Sequence, residues 1–241
     1  MNIAFYNAYT ALQAYQQNIN TISNNIANTS TNGYKSSTVN FDDLIYTQMD
    51  VNNKSNELMQ GHGVKASNIQ TNFEQGIFVN TSSPTDFAIV GNGFFAVLNK
   101  GQIEFTRDGA FNLSIQNDKA FLVRNDGSYV LERNQKPIEL TKNGDNWDID
   151  AAKDKIAVFQ FNHPEGLIKT SNTSYLVSEN SGNPTLVSEE STLLIQYCIE
   201  QSNVELGPQM VALIEGQKAF QLNSRVLQTA DQIEEIINNL R

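Results

Sequence analysis

One cysteine, five prolines and two histidines in 241 residues leave little material for the chemistry those side chains usually carry. Cys198 alone cannot close an intramolecular disulfide. His62 and His163 stand far apart and away from any Cys/His cluster, which argues against a metal site. Charge is also scarce. Only 17% of residues are charged, and 16 basic against 26 acidic side chains give a formal net charge of −10. The basic residues occur singly, so there is no stripe to neutralise a phosphate backbone, and nucleic acid is not an expected partner. No run approaches the roughly 20 consecutive apolar residues of a membrane-spanning helix. The first ten residues lack the basic head and unbroken apolar stretch of a secretory leader, which alone would point to the cytoplasm.

Patterned apolar residues are present, at 39% hydrophobic overall. Phe5, Ala8, Leu12, Tyr15, Ile19, Ile22 and Ile26 follow one another at alternating steps of four and three, the seam of a helix that packs on other helices. Asn7, Gln13, Gln17, Asn18 and Asn24 make a neutral polar face, and Asn32-Gly33 is the expected end. Some 25 to 30 helical residues would span roughly 40 Å. The far end mirrors this. Leu213, Phe220, Leu227, Ala230, Ile233, Ile237 and Leu240 form one stripe, and Pro208 suits a first helical turn.

Between the helices the period drops to two. Phe87 and Ile89, Phe95 and Val97, Ile103 and Phe105, Phe111 to Ile115, Phe121 and Val123, and Tyr129 and Leu131 alternate with polar neighbours. Gly91-Asn-Gly93, Lys100-Gly101, Asp108-Gly109, Asn117-Asp118 and Asp126-Gly127 supply turns. The expected fold is mixed α and β: two long terminal helices forming a helical-pair or coiled-coil domain, and a central antiparallel β domain. The boundaries are 1–33 and 205–241 for the helices, 34–75 and 187–204 for extended connectors, and 76–186 for the β domain. Amphipathic helices draw most of their stability from packing, so these ends need each other or neighbouring copies.

Several motifs carry a resemblance. Ser23-Asn-Asn-Ile-Ala-Asn-Thr-Ser-Thr-Asn-Gly-Tyr-Lys35 resembles the motif that closes the first helix of bacterial flagellar rod and hook proteins. Phe41-Asp-Asp-Leu44 and Gly61-His-Gly-Val64 resemble the segment that follows it. Gly91-Asn-Gly-Phe-Phe95 and Phe105-Thr-Arg-Asp-Gly-Ala-Phe111 are similar to the family's central hairpin. Ser202-Asn-Val204, then Met210 to Phe220 and Asn223, are similar to its C-terminal block, with Glu205, Lys218 and Phe220 as departures. The stretch from about 116 to 186 diverges.

This resemblance to the flagellar basal-body rod family implies a structural subunit that polymerises helically through its terminal helices into a hollow drive shaft and export channel. It implies a homo-oligomer that meets other rod proteins, the hook and the bushing rings, with no small-molecule substrate and no cofactor. It also implies export without a cleaved signal into a basal body crossing the periplasm. A distal rod type is the first expectation and a proximal paralogue the second. A hook or other axial protein, or a phage-tail-like assembly protein, is the alternative. A hook protein would need a large outer domain that 241 residues do not hold.

The residues expected at subunit interfaces are Leu12, Tyr15, Ile19, Ile22, Asn24, Asn25, Ile26, Asn28, Asn32, Gly33, Tyr34 and Lys35 on the first helix and its closing motif. Ser202, Asn203, Val204, Met210, Leu213, Gln217, Phe220, Asn223, Leu227, Ile233 and Ile237 are their counterparts at the far end. Three amides at 24, 25 and 28 exceed what one helix end needs, so they read either as end chemistry or as bridges to a neighbour. Gly91-Asn-Gly93 lacks the lysine and helix of a phosphate loop and reads as a hairpin turn. Asp145, Asp148 and Asp150 miss the EF-hand spacing and read as a solvated loop. Cys198 reads as a small, partly buried hydrophobe. Thr106-Arg-Asp108 offers no nucleophile and base, and reads as a turn with a local Asp cap.

Overall fold

The computed structural model describes residues 3–48, 59–116, 119–143, 146–187 and 193–240. The turn at 117–118 and Asp145 lie outside the described residues. The chain divides into two units. A helical unit comprises residues 1–27, 37–71 and 205–241, and a β unit comprises 28–36 and 72–204. Three α-helices are described: α1 at Ile3–Ala27, a short α2 at Asp150–Lys155, and α3 at Leu206–Asn239.

In the helical unit, α1 contains no glycine, proline or charged residue, and its alanines favour helix. Hydrogen bonds four residues apart, Gln13 to Tyr9 at 2.8 Å and Gln16 to Asn20 at 3.0 Å, stitch its polar face. The helix stops at Ala27, ahead of the expected Asn32-Gly33 end, because the following six residues form turns. α1 packs against α3. Asn25 hydrogen-bonds Gln209 at 3.2 Å, and a Cβ built on the buried Gly216 would come within 3.2 Å of Ile19. One contact runs back along α1 as the other runs forward along α3, so the pair is antiparallel. Continued at helical spacing, this register ends α1 near about residue 232 of α3.

The buried face of α1 is Ala8, Ala11, Ala14, Thr21, Ile22 and Asn25. Leu12, Tyr15, Ile19 and Ile26 of the apolar seam straddle its edge, half-buried. The face is rotated toward alanine because small side chains let the packed elements approach closely.

The segment 37–71 is not a bare connector. Ser37–Asp43 pairs antiparallel with Val64–Thr71, with a register shift between Asn40 and Phe41, and both strands pack on α1. Tyr15 packs against Phe41 with tilted rings, 5.8 Å between centroids. Tyr46–Gln48 pairs with Met59–Gly61.

In the β unit, Phe94–Asn99 pairs antiparallel with Gln102–Thr106, with Tyr129–Val130 and with Val158–Gln160. Phe111–Gln116 and Lys119–Arg124 form a hairpin, and Ser174–Leu176 borders Gln102–Thr106. Both faces of the central strand are buried. Phe95 and Val97 enter one core with Phe87, Ile89, Phe111, Leu122 and Ile138. Phe94 and Ala96 enter the other with Phe105, Leu131, Phe159, Phe161 and Tyr175. The period of two sends alternate residues to opposite sides, and aromatic edge-to-face pairs fill the second side. The stretch before α3 pairs into this unit too. Leu193–Gln196 runs along Phe87–Val90, and Cys198–Glu200 runs along Phe78–Asn80, burying Cys198. No described helix is long and apolar enough to cross a membrane.

Candidate functional site

The motif residues meet at two places. In the β unit, Lys35 and Glu200 are 0% and 1% exposed in their side chains, and Arg107 is 2% exposed. The Lys35 ammonium donates to Glu200 Oε1 at 2.6 Å and to the Glu74 carbonyl at 2.6 Å. The Gly76 N–H donates to the same carboxylate oxygen at 2.8 Å, and Arg107 donates to Oε2 at 3.3 Å. The Arg107 guanidinium lies over the Phe94 ring, 5.2 Å from its centroid. Burial pushes the Lys35 ammonium below its ordinary pKa, and Glu200 pulls the other way. Arg107 is lowered for the same reason, opposed by the same carboxylate.

Backbone geometry brings these charges together. Gly33 takes φ +65, a left-handed conformation. A Cβ there would stand 2.4 Å from the Asp108 nitrogen, so only glycine lets the segment lie on the Arg107-Asp108 turn. Gly33 N–H donates to the Glu200 carbonyl at 2.7 Å, and Asn203 N–H donates to the Tyr34 carbonyl at 3.3 Å. Asn203 Oδ1 accepts from Ser36 N–H at 2.7 Å, while its Nδ2 donates to the carbonyls of Asn72 and Glu74 at 2.9 and 3.1 Å. Lys169 places its ammonium 4.3 Å from the centroid of the Tyr34 ring. Asn28 Oδ1 accepts from Asn172 at 2.9 Å and Thr31 at 3.2 Å. The Asp108 turn is capped as expected, with Ala110 N–H donating to Asp108 Oδ1 at 3.1 Å.

The second place lies in the helical unit. Asn25, 1% exposed, pairs with the backbone of Ser37 as a strand would. Its Nδ2 donates to the Ser37 carbonyl at 2.8 Å and its Oδ1 accepts the Ser37 N–H at 3.0 Å.

The structure therefore separates the sequence-derived site residues into three groups by exposure. Asn25, Asn28, Gly33, Tyr34, Lys35, Ser202 and Val204 are buried within the chain, with Ile22 beside them in that class. Asn24, Met210, Gln217, Ile233 and Ile237 are exposed. Leu12, Tyr15, Ile19, Ile26, Asn32, Asn203, Leu213, Phe220, Asn223 and Leu227 are half-buried. Sequence reasoning missed Arg107 and Glu200. Glu200 shares one side of its strand with the buried Cys198, and the buried Ser202 continues the alternation just beyond the strand; a charge at an inward position of a period-two run is the signal that would have found it. No cluster of metal-ligating side chains occurs among the described residues.

What this arrangement can do is hold chain segments together; it presents no activated nucleophile. Residues 5–35 match the family described as flagella basal body rod protein, 88–154 match the flagellar hook protein FlgE/F/G D1 domain, and 195–240 match the flagellar basal body rod FlgEFG protein C-terminal. The chain is similar to the flagellar basal-body rod protein FlgG of Buchnera aphidicola subsp. Baizongia pistaciae, 35% identical over 95% of this chain and 96% of the relative. The FlgG of Borreliella burgdorferi is 32% identical over 99% and 98%. The flagellar hook-basal body complex protein FlhP of Bacillus subtilis is 29% identical over 97% of each. The chain belongs to the flagellar basal-body rod protein family, a structural family of the bacterial flagellum.

Proposed function

We propose that this rod subunit polymerises helically through α1 and α3, forming a hollow shaft. The observation that carries the reading is the uncovered apolar face of α3. Ile233, Ile236 and Ile237 are 47%, 59% and 60% exposed and Leu240 is 82% exposed, beyond the reach of α1 in the register above. Met210, Ile214, Leu222 and Val226 add exposed apolar surface along the same helix. Helices with such faces gain stability when neighbours cover them. A contact that does not close on itself yields an open helix of subunits, and coiled-coil packing between copies is the form this seam suits.

The partners are copies of the same chain, other rod proteins, the hook and the surrounding bushing rings. The site is the basal body where it crosses the periplasm, reached through the flagellar export apparatus, with a distal rod position as the first assignment. The exposed members of the site set (Asn24, Met210, Gln217, Ile233 and Ile237) would make the first contacts. The test is Ile237→Asp expressed at equal export level. Isolated basal bodies should lack completed rods and cells should lose motility, because each copy would bury an uncompensated charge. Normal rods from this variant would refute the α3 interface.

A further inference from the structure

The chain passes between its two units at residues 27–28, 36–37, 71–72 and 204–205. On the β-unit side, Asn203 ties three of these places to one another. Its side chain holds the Ser36 N–H and the carbonyls of Asn72 and Glu74, one residue before Val204 ends the unit. Three residues earlier, Glu200 holds Lys35, Arg107 and the Gly76 N–H with its carboxylate and the Gly33 N–H with its carbonyl.

The partners are far apart along the chain. Lys35 and Glu200 are 165 residues apart, and Arg107 and Glu200 are 93 apart. Both cations therefore precede their shared counter-charge in the order in which a chain is made. Without Glu200, the observed conformation of 33–36 would bury two cations with no carboxylate between them. An uncompensated buried charge is strongly unfavourable, so the segment would lift to bring Lys35 to water.

We propose that Lys35, Arg107, Glu200 and Asn203 form a completion latch. The segment leading from α1 into the β unit closes only when residues 200–204 are seated, and a subunit whose latch is open is not added to the rod. Closure is a property of the isolated chain. Only exclusion from the rod rests on the reading under Proposed function.

The test uses the full chain carrying Glu200→Gln. The amide keeps an acceptor but turns a donor toward one of the two cations. Hydrogen exchange at the Gly33, Ser36 and Gly76 amides should quicken about tenfold, while amides of Phe94–Asn99 and Gln102–Thr106 stay within about twofold. Uniform acceleration across the β unit, or no change at those three amides, would overturn the latch. Asn203→Ala is the second variant should the first not accumulate folded. It removes the other half of the latch, the Ser36, Asn72 and Glu74 bonds, without touching a charge, and it should quicken Ser36 about threefold or more while leaving the central strands alone. In cells, at equal export, both variants should give fewer completed rods. Local opening with normal rod numbers would overturn the exclusion step, whereas polymerisation through α3 stands or falls separately on Ile237→Asp.

Discussion

The β unit has a core that closes over large side chains: Phe87, Phe95, Phe111, Leu122 and Ile138 are at most 1% exposed. α3 buries only Gly216 and Ala230 among its 34 residues, and its isoleucines face outward. The same kind of apolar residue thus serves two ends. In one region it closes a core within a single chain. In the other it remains uncovered within the chain, so on the proposed function the stability of the monomer and the stability of the assembly would reside in different residues.

The sharpest way to break that comparison is to truncate one residue on each side. Phe95→Ala should cost about 3–5 kcal/mol of monomer stability, since it empties a dry core. Ile236→Ala should leave monomer unfolding within about 0.5 kcal/mol while reducing rod assembly. Denaturant unfolding of the monomer checks the first pair of values, and basal-body micrographs check the last. Equal monomer losses would mean α3 is already covered within one chain.

A smaller contrast comes from two glycines. Gly33→Ala should destabilise by about 1–3 kcal/mol, because the new methyl meets the backbone of the Arg107-Asp108 turn. Gly207→Ala at the start of α3 meets nothing within 4 Å and should stabilise by up to about 1 kcal/mol through helix propensity. Thermal unfolding of both variants reads the difference. A neutral Gly33→Ala would mean that this turn yields more readily than its close packing suggests.

The smallest effect concerns Tyr175, fully buried with a hydroxyl that finds no hydrogen-bond partner among the described residues. Burial raises its pKa far above the ordinary 10.0. Above about pH 10 the unfolded chain therefore releases this proton while the folded chain keeps it, so wild-type stability falls as pH rises. Tyr175→Phe should be near neutral at pH 7 and should flatten that alkaline loss, measured as the shift in denaturant midpoint between about pH 9 and about pH 11. An unchanged slope would show that Tyr175 ionises while folded.

The helices and most hairpins were legible in the sequence because their signals are local: a stripe at steps of three and four, or alternation ended by a turn. The inward face of α1 was less so. Counting large apolar residues selects Leu12 and Tyr15, yet Ala11 and Ala14 are the buried positions, because close approach rewards small side chains. The pairing of 37–43 with 64–71 was missed because both strands are polar and mostly exposed, with little alternation to read. Lys35 was singled out from its motif, but its partner lies 165 residues away, beyond any local window. The division of the interface set into buried and exposed residues required three-dimensional packing.

α1 contains no Asp, Glu, Lys, Arg or His along its 25 residues. To any contact this surface contributes no proton to gain or lose across the ordinary pH range and no charge for dissolved ions to screen. α3, by contrast, carries Glu215, Lys218, Arg225, Asp231, Glu234 and Glu235, so a response of the helix pair to salt or acid would originate there. Loosening α1's own side of a contact would require agents that weaken apolar contact or unwind the helix itself, such as denaturant or heat.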